Sequence, residues 1–72
     1  MKKKFKLEEL DCANCAAKME NAIRKIPGVQ EANISFMAQK LTLEADDDRF
    51  DAIVDEAQRV ISKVESACRI VR

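Results

Sequence analysis

Along this chain the spacing of apolar residues switches between two periods, and no other feature constrains the fold as tightly. Phe5 and Leu7 alternate with Lys4, Lys6 and Glu8, the period-two pattern of a half-buried strand over Lys4–Glu8. From Asn14 to Ile26, the residues Met19, Ala22, Ile23 and Ile26 recur at helical spacing, and Pro27-Gly28 stops the helix. Period two returns at Ala32, Ile34 and Phe36. After a short turn at Met37-Ala38-Gln39 it resumes at Leu41, Leu43 and Ala45, so these two strands read as a hairpin. Phe50, Ile53, Val54, Ala57, Val60 and Ile61 form a second helical stripe. A last strand runs from about Ala67 to Val71. The acidic run Asp46-Asp47-Asp48 precedes the second helix, where carboxylates can cap free N–H groups and oppose the positive end of the dipole. Met19 and Met37 are both expected to serve packing.

The order strand, helix, strand, strand, helix, strand is the split βαβ pattern of a ferredoxin-like α+β fold. It predicts a four-stranded antiparallel sheet with both helices on one face. Seventy-two residues make a single domain spanning 1–72, with no linker or repeat inside. A core of this size yields a net of only ~3–5 kcal/mol and often relies on a metal, a disulfide or a partner. It leaves no room for nucleotide and substrate sites, so a binding module is expected rather than an enzyme.

Composition narrows the class further. A hydrophobic fraction of 47% argues against disorder. Thirteen basic and thirteen acidic residues balance, which argues against nucleic acid as the main partner. Lys2, Lys3, Lys4 and Lys6 are expected to be a solvated terminus, with a dock for an acidic partner as the alternative. No apolar stretch approaches the ~20 residues of a membrane helix, and no signal-peptide segment follows the lysines. A cytoplasmic monomer without membrane insertion is expected. Three cysteines fit a reducing compartment better than a disulfide scaffold. Histidine is absent, so any metal site must use thiolates and carboxylates.

Cys12 and Cys15 fall between the first strand and the first helix. Their separation lets both sulfurs converge on one ion, and the helix N-terminus favours thiolate over thiol. A short loop at the end of the sheet leaves the site open, which suits an ion that is handed on. A structural zinc site would need four ligands, and no second pair exists here. A thioredoxin-like thiol–disulfide exchanger also carries CxxC at a helix start. Such domains are longer, and the one proline here ends a helix.

The stretch Leu10-Asp11-Cys12-Ala13-Asn14-Cys15-Ala16, followed by Ile26-Pro27-Gly28-Val29, resembles the heavy-metal-associated domain family. The likeness extends over essentially the whole chain through the order of its elements. That family includes cytosolic copper chaperones, periplasmic mercury-binding proteins and the cytosolic N-terminal domains of P-type metal-transporting ATPases. The resemblance implies that Cys12 and Cys15 are the metal ligands. Where the family often has Gly-Met-Thr or Gly-Met-Ser, this chain has Glu9-Leu10-Asp11. Leu10 is expected to plug the space beneath the loop, and Glu9 occupies the glycine position.

Asp11 bears on the choice of ion. Cu(I) is soft and content with two thiolates, so a carboxylate only adds negative charge. Zn(II) usually wants four ligands and accepts carboxylate oxygen. Two thiolates and one carboxylate around a divalent ion carry the same single negative charge as two thiolates around Cu(I). Asp before the first cysteine also resembles the zinc, cadmium and lead branch of the transporting ATPases. The competing role for Asp11 is a helix cap or an exposed side chain. The connection before the last strand lies beside the metal loop in this fold. It brings Lys63, Glu65 and Cys68 nearby: Lys63 resembles the charge-offsetting lysine of copper chaperones, Glu65 is either an exposed carboxylate or an added ligand, and Cys68 is either core or a third thiolate. The expectation is a non-catalytic domain that binds Zn(II), Cd(II) or Pb(II). It would receive the ion from a metal donor and pass it to the transport site or other soluble domains of its ATPase. A free-standing Cu(I) metallochaperone and a thiol redox protein are the alternatives.

Overall fold

The structure, a computed structural model, describes residues 1–72. Its elements are β1 (Lys2–Glu8), α1 (Ala13–Arg24), β2 (Val29–Ser35), β3 (Lys40–Ala45), a 3-10 turn (Asp47–Arg49), α2 (Phe50–Val64) and β4 (Arg69–Val71). The strands form one antiparallel sheet in the order β2-β3-β1-β4. This is the expected ferredoxin-like arrangement.

The alternating strand residues all turn to one side. Phe5 lies opposite Leu41, Leu7 opposite Ile70, and Ala32 opposite Leu43. All six are buried together with Met19 and Ile23 of α1 and Ile53, Val54, Ala57 and Ile61 of α2. The Phe5 and Phe50 rings stack with centroids 6.2 Å apart, a separation at which aromatic pairs attract. No polar side chain is buried as a whole residue. Gly28, at φ +95, turns the chain from α1 into β2. A side chain is strained at that φ, and its β-carbon would sit 2.9 Å from Ile53 Cδ1, so glycine is strongly favoured.

Four expectations need correction. Met37 does not pack: it sits in the hairpin turn and is 92% exposed. Phe36 is not a strand residue, because β2 ends at Ser35 and the turn carries the ring to the rim. The acidic run caps no helix: neither the 3-10 turn nor α2 has a side-chain cap. Asp46 instead accepts from Gln30 Nε2 at 2.6 Å, and Asp47 pairs with the N-terminal ammonium of Met1 at 2.5 Å. The last strand begins at Arg69, two residues later than its pattern suggests, because Glu65, Ser66 and Ala67 leave the helix in a turn closed by Cys68 N–H donating to Glu65 O at 3.1 Å.

The open edge of β2 is covered from α1. Glu20 Oε2 accepts from Ile34 N–H at 2.7 Å, and Arg24 Nε donates to Ala32 O at 3.0 Å. The two side chains also pair with each other at 3.2 Å. An edge strand otherwise offers these groups to any other chain.

Candidate metal centre

The loop between β1 and α1 is built on one unusual backbone residue. Glu9 has φ +62, the left-handed region, at a cost of roughly 1–2 kcal/mol for a side-chain-bearing residue. This is the position where the resemblance places glycine. The turn drives Leu10 into the core, where it is 3% exposed, as the expected plug. The hairpin turn then locks the loop from the far side. Leu7 N–H donates to Gln39 O at 2.7 Å, and Gln39 Nε2 donates to Leu10 O and to Phe36 O, each at 2.9 Å. Gln39 is itself left-handed, at φ +55.

Two residues beyond Leu10, Cys12 is extended (φ −138, ψ 125) and forms the N-cap of α1. Ala16 N–H donates to Cys12 O at 3.0 Å and closes the first helical turn. One turn of helix therefore separates Cys12 from Cys15, and both are half-exposed free thiols. No side-chain hydrogen bond caps the helix in the usual sense. The first-turn amides nevertheless act on the Cys12 thiol electrostatically. Cys15 N–H, then the Cys15 thiol, then Asn14 N–H hold the Cys12 thiol below its ordinary pKa. Burial and the Glu65 charge oppose them. Cys15 moves the other way. Its proton is shared with Cys12, and that bond, desolvation, and the charges of Cys12 and Glu65 push its pKa up, with Lys18 opposing. The pair thus holds its first proton weakly and its second strongly, as two thiols do when they share one site.

Glu65 ends α2, with its N–H donating to Ile61 O at 2.8 Å. Its side chain is half-buried rather than exposed, and Oε2 is enclosed with no hydrogen-bond partner. Its charge raises all three thiols, so it lies within electrostatic reach of the cysteine loop. Cys68 is fully buried, in the packing position expected of it. Burial first, then Glu65, Asp11 and Glu9, push its thiol up. Asp11 is exposed and caps nothing. No three cysteine or carboxylate side chains converge closely enough to surround an ion. The structure brings Cys12 and Cys15 together and leaves Asp11 and Glu65 at the margin, with Cys68 behind. Lys63 is exposed and forms no ion pair.

Sequence reasoning missed Gln39. A glutamine in a hairpin turn carries no turn signal of its own, and its role depends on a carbonyl 29 residues away. The molecule's one cavity lies elsewhere, between the end of α1 and the first half of α2. Ile26, Pro27, Arg49, Ile53 and Arg59 line it, and no residue of the cysteine loop does.

Known proteins share these features. The family model of the heavy-metal-associated domain matches residues 4–68. The zinc/cadmium/lead-transporting P-type ATPase of Escherichia coli (strain K12) is 43% identical over 44 residues, which is 61% of this chain and 6% of that protein. The cadmium, zinc and cobalt-transporting ATPase of Bacillus subtilis (strain 168) is 29% identical over 65 residues, 90% of this chain and 9% of that protein. The chain therefore spans less than a tenth of the length of these relatives. The yeast copper transporter domain CCC2A has the same fold, with TM-score 0.76 and 18% identity over 99% of this chain and 94% of that one. With a family model covering nearly its full length and the family's fold around a Cys12–Cys15 pair, this chain belongs to the heavy-metal-associated domain family.

Proposed function

We propose that the chain binds a divalent soft or borderline ion, Zn(II), Cd(II) or Pb(II), through Cys12 and Cys15, with Asp11 and Glu65 supplying oxygen. The observation that carries this is Glu65 Oε2, a carboxylate oxygen enclosed without a partner within electrostatic reach of the paired thiols. An enclosed polar atom with no partner costs about 1–3 kcal/mol, and a bound cation removes that cost. Two thiolates and carboxylate oxygen match Zn(II) and Cd(II) better than Cu(I). The similarity to zinc- and cadmium-transporting ATPases supports the same choice.

The working cycle follows from an incomplete ligand set. Cys12 loses its proton first and makes the first bond to the ion. Cys15 gives up its proton as the second bond forms, so uptake releases protons. Asp11 turns inward from solvent as the ion arrives. Positions left open admit a thiolate or carboxylate of the acceptor, and the ion passes by exchange of one ligand at a time. In this account the chain is a cytosolic domain of a metal-exporting P-type ATPase. No helix of it is long and apolar enough to cross a membrane.

A second reading, a free-standing Cu(I) metallochaperone, is favoured by one observation: only two thiols converge, and two suffice for Cu(I). Anaerobic competition titrations separate the two. The divalent account expects Glu65→Gln and Asp11→Ala each to weaken Zn(II) about tenfold or more and to leave Cu(I) unchanged. Unchanged Zn(II) affinity in both variants would favour copper.

A further inference from the structure

β4 is the other edge of the sheet, and only one side chain covers it. Gln58, on α2, accepts from Ile70 N–H through Oε1 at 2.7 Å and donates from Nε2 to Cys68 O at 3.2 Å. The primary amide thus stands where a further strand would be. Nε2 also meets Ser62 Oγ at 3.0 Å, one turn along the same helix, which fixes the amide's orientation. Cys68 N–H in turn donates to Glu65 O at 3.1 Å, and Glu65 N–H to Ile61 O. A continuous path of hydrogen bonds therefore runs from α2 through Cys68 back to Glu65, and at its far end, where Cys68 is buried and Arg69 pairs with Glu8, Gln58 adds the bond to the Cys68 carbonyl.

This arrangement bears on the enclosed Oε2 of Glu65. An enclosed carboxylate oxygen without a partner favours any motion that returns it to water. The segment 65–68 has no ladder bonds of its own, since β4 begins at Arg69. Between α2 and the first ladder pair, Glu8 with Arg69, it is held by the buried Cys68 side chain and by the Gln58 amide on the Cys68 carbonyl.

We propose that Gln58 is a positioning residue for the divalent ion: it steadies the segment 65–68 so that the Glu65 carboxylate stays within reach of an ion held by Cys12 and Cys15. This rests on Glu65 being a ligand. Gln58 makes no contact with the ion, and it has no role for an ion that uses the two thiolates alone.

The test uses Gln58→Met, which keeps the side chain's length and removes both hydrogen bonds, alone and combined with Glu65→Gln. Amide exchange at Ile70 is expected to quicken. Zn(II) and Cd(II) affinity is expected to fall about tenfold, as for other groups that orient a ligand, while Cu(I) affinity stays level. In the Glu65→Gln background, Gln58→Met should lower Zn(II) affinity no further. Should the apolar variant fail to fold, Gln58→Glu keeps the acceptor for Ile70 N–H, loses the donor to Cys68 O and should show the same split. Equal losses for Cu(I) and Zn(II), or a Gln58 effect that persists without the Glu65 carboxylate, would overturn the proposal. If Glu65→Gln alone leaves Zn(II) binding intact while Ile70 exchange still quickens in Gln58→Met, the ligand assignment of Glu65 has failed and the proposal falls with it.

Discussion

Gln39 donates its side-chain amide to the Leu10 carbonyl at 2.9 Å and so ties the β2–β3 turn to the loop two residues before Cys12. The same amide serves Phe36 O. Replacing Gln39 with Met strands both carbonyls. A loss of about 1–2 kcal/mol in stability is expected, measured by urea unfolding. Because the cysteine loop itself moves, Zn(II) and Cu(I) affinity should fall together, unlike the split expected at Gln58.

Glu9 holds the left-handed turn that starts this loop. Glu9→Gly removes a cost of roughly 1–2 kcal/mol and adds about 0.5–1 kcal/mol of backbone entropy to the unfolded chain. The net expectation is a gain of up to about 1.5 kcal/mol, read from the same unfolding curves. Gly28→Ala should do the reverse. At φ +95, with Ile53 Cδ1 2.9 Å from the new β-carbon, it should lose about 2 kcal/mol or more.

The two site thiols titrate apart. Cys12 lies below the ordinary value of 9.0 because amides and the Cys15 thiol stabilise its thiolate. Cys15 lies above it because it donates to Cys12 and is desolvated. Thiolate is the form that alkylates. As pH rises, Cys12 should therefore react first, with its midpoint below 9.0, and Cys15 should follow with its midpoint above. Mass spectrometry of peptides after brief iodoacetamide treatment reads the order. Cys68, buried and with its thiol pushed up, should stay unmodified until the chain unfolds.

Met19 and Met37 separate what pattern reveals from what it does not. Met19 sits on a helical stripe and is fully buried, so Met19→Ala should cost about 2–5 kcal/mol. Met37 lies in a turn at 92% exposure, so Met37→Gln should change stability by less than about 0.5 kcal/mol. Thermal unfolding of both variants checks the contrast. Periodicity fixes which face of a regular element is buried, which is why Phe5, Leu41, Ile53 and Ile61 were legible in the sequence. It says nothing where the chain turns. Phe36 continues the alternation of Ala32 and Ile34, yet the strand stops one residue before it.

The site divides in the same way. The placement of Cys12 and Cys15 at one helix start was legible from their spacing between a strand and a helix, while their role as ligands was an implication of the family resemblance. Cys68 was legible as core from its alternation with Arg69. The enclosure of Glu65 Oε2 and the brace from Gln39 were not legible. Both depend on contacts between residues far apart in the chain, where no local pattern reports them. The acidic run Asp46-Asp47-Asp48 shows the converse failure. Its local logic was a helix cap, but Gln30 engages Asp46 and the N-terminal ammonium engages Asp47 instead.

X-ray absorption at the cadmium edge of the Cd(II)-loaded protein, kept monomeric and free of added thiol, tests the central claim most directly. The account predicts two sulfur neighbours from Cys12 and Cys15, plus oxygen neighbours that diminish in the Asp11→Ala and Glu65→Gln variants. A shell of sulfur alone, or oxygen neighbours unchanged in both variants, would contradict it.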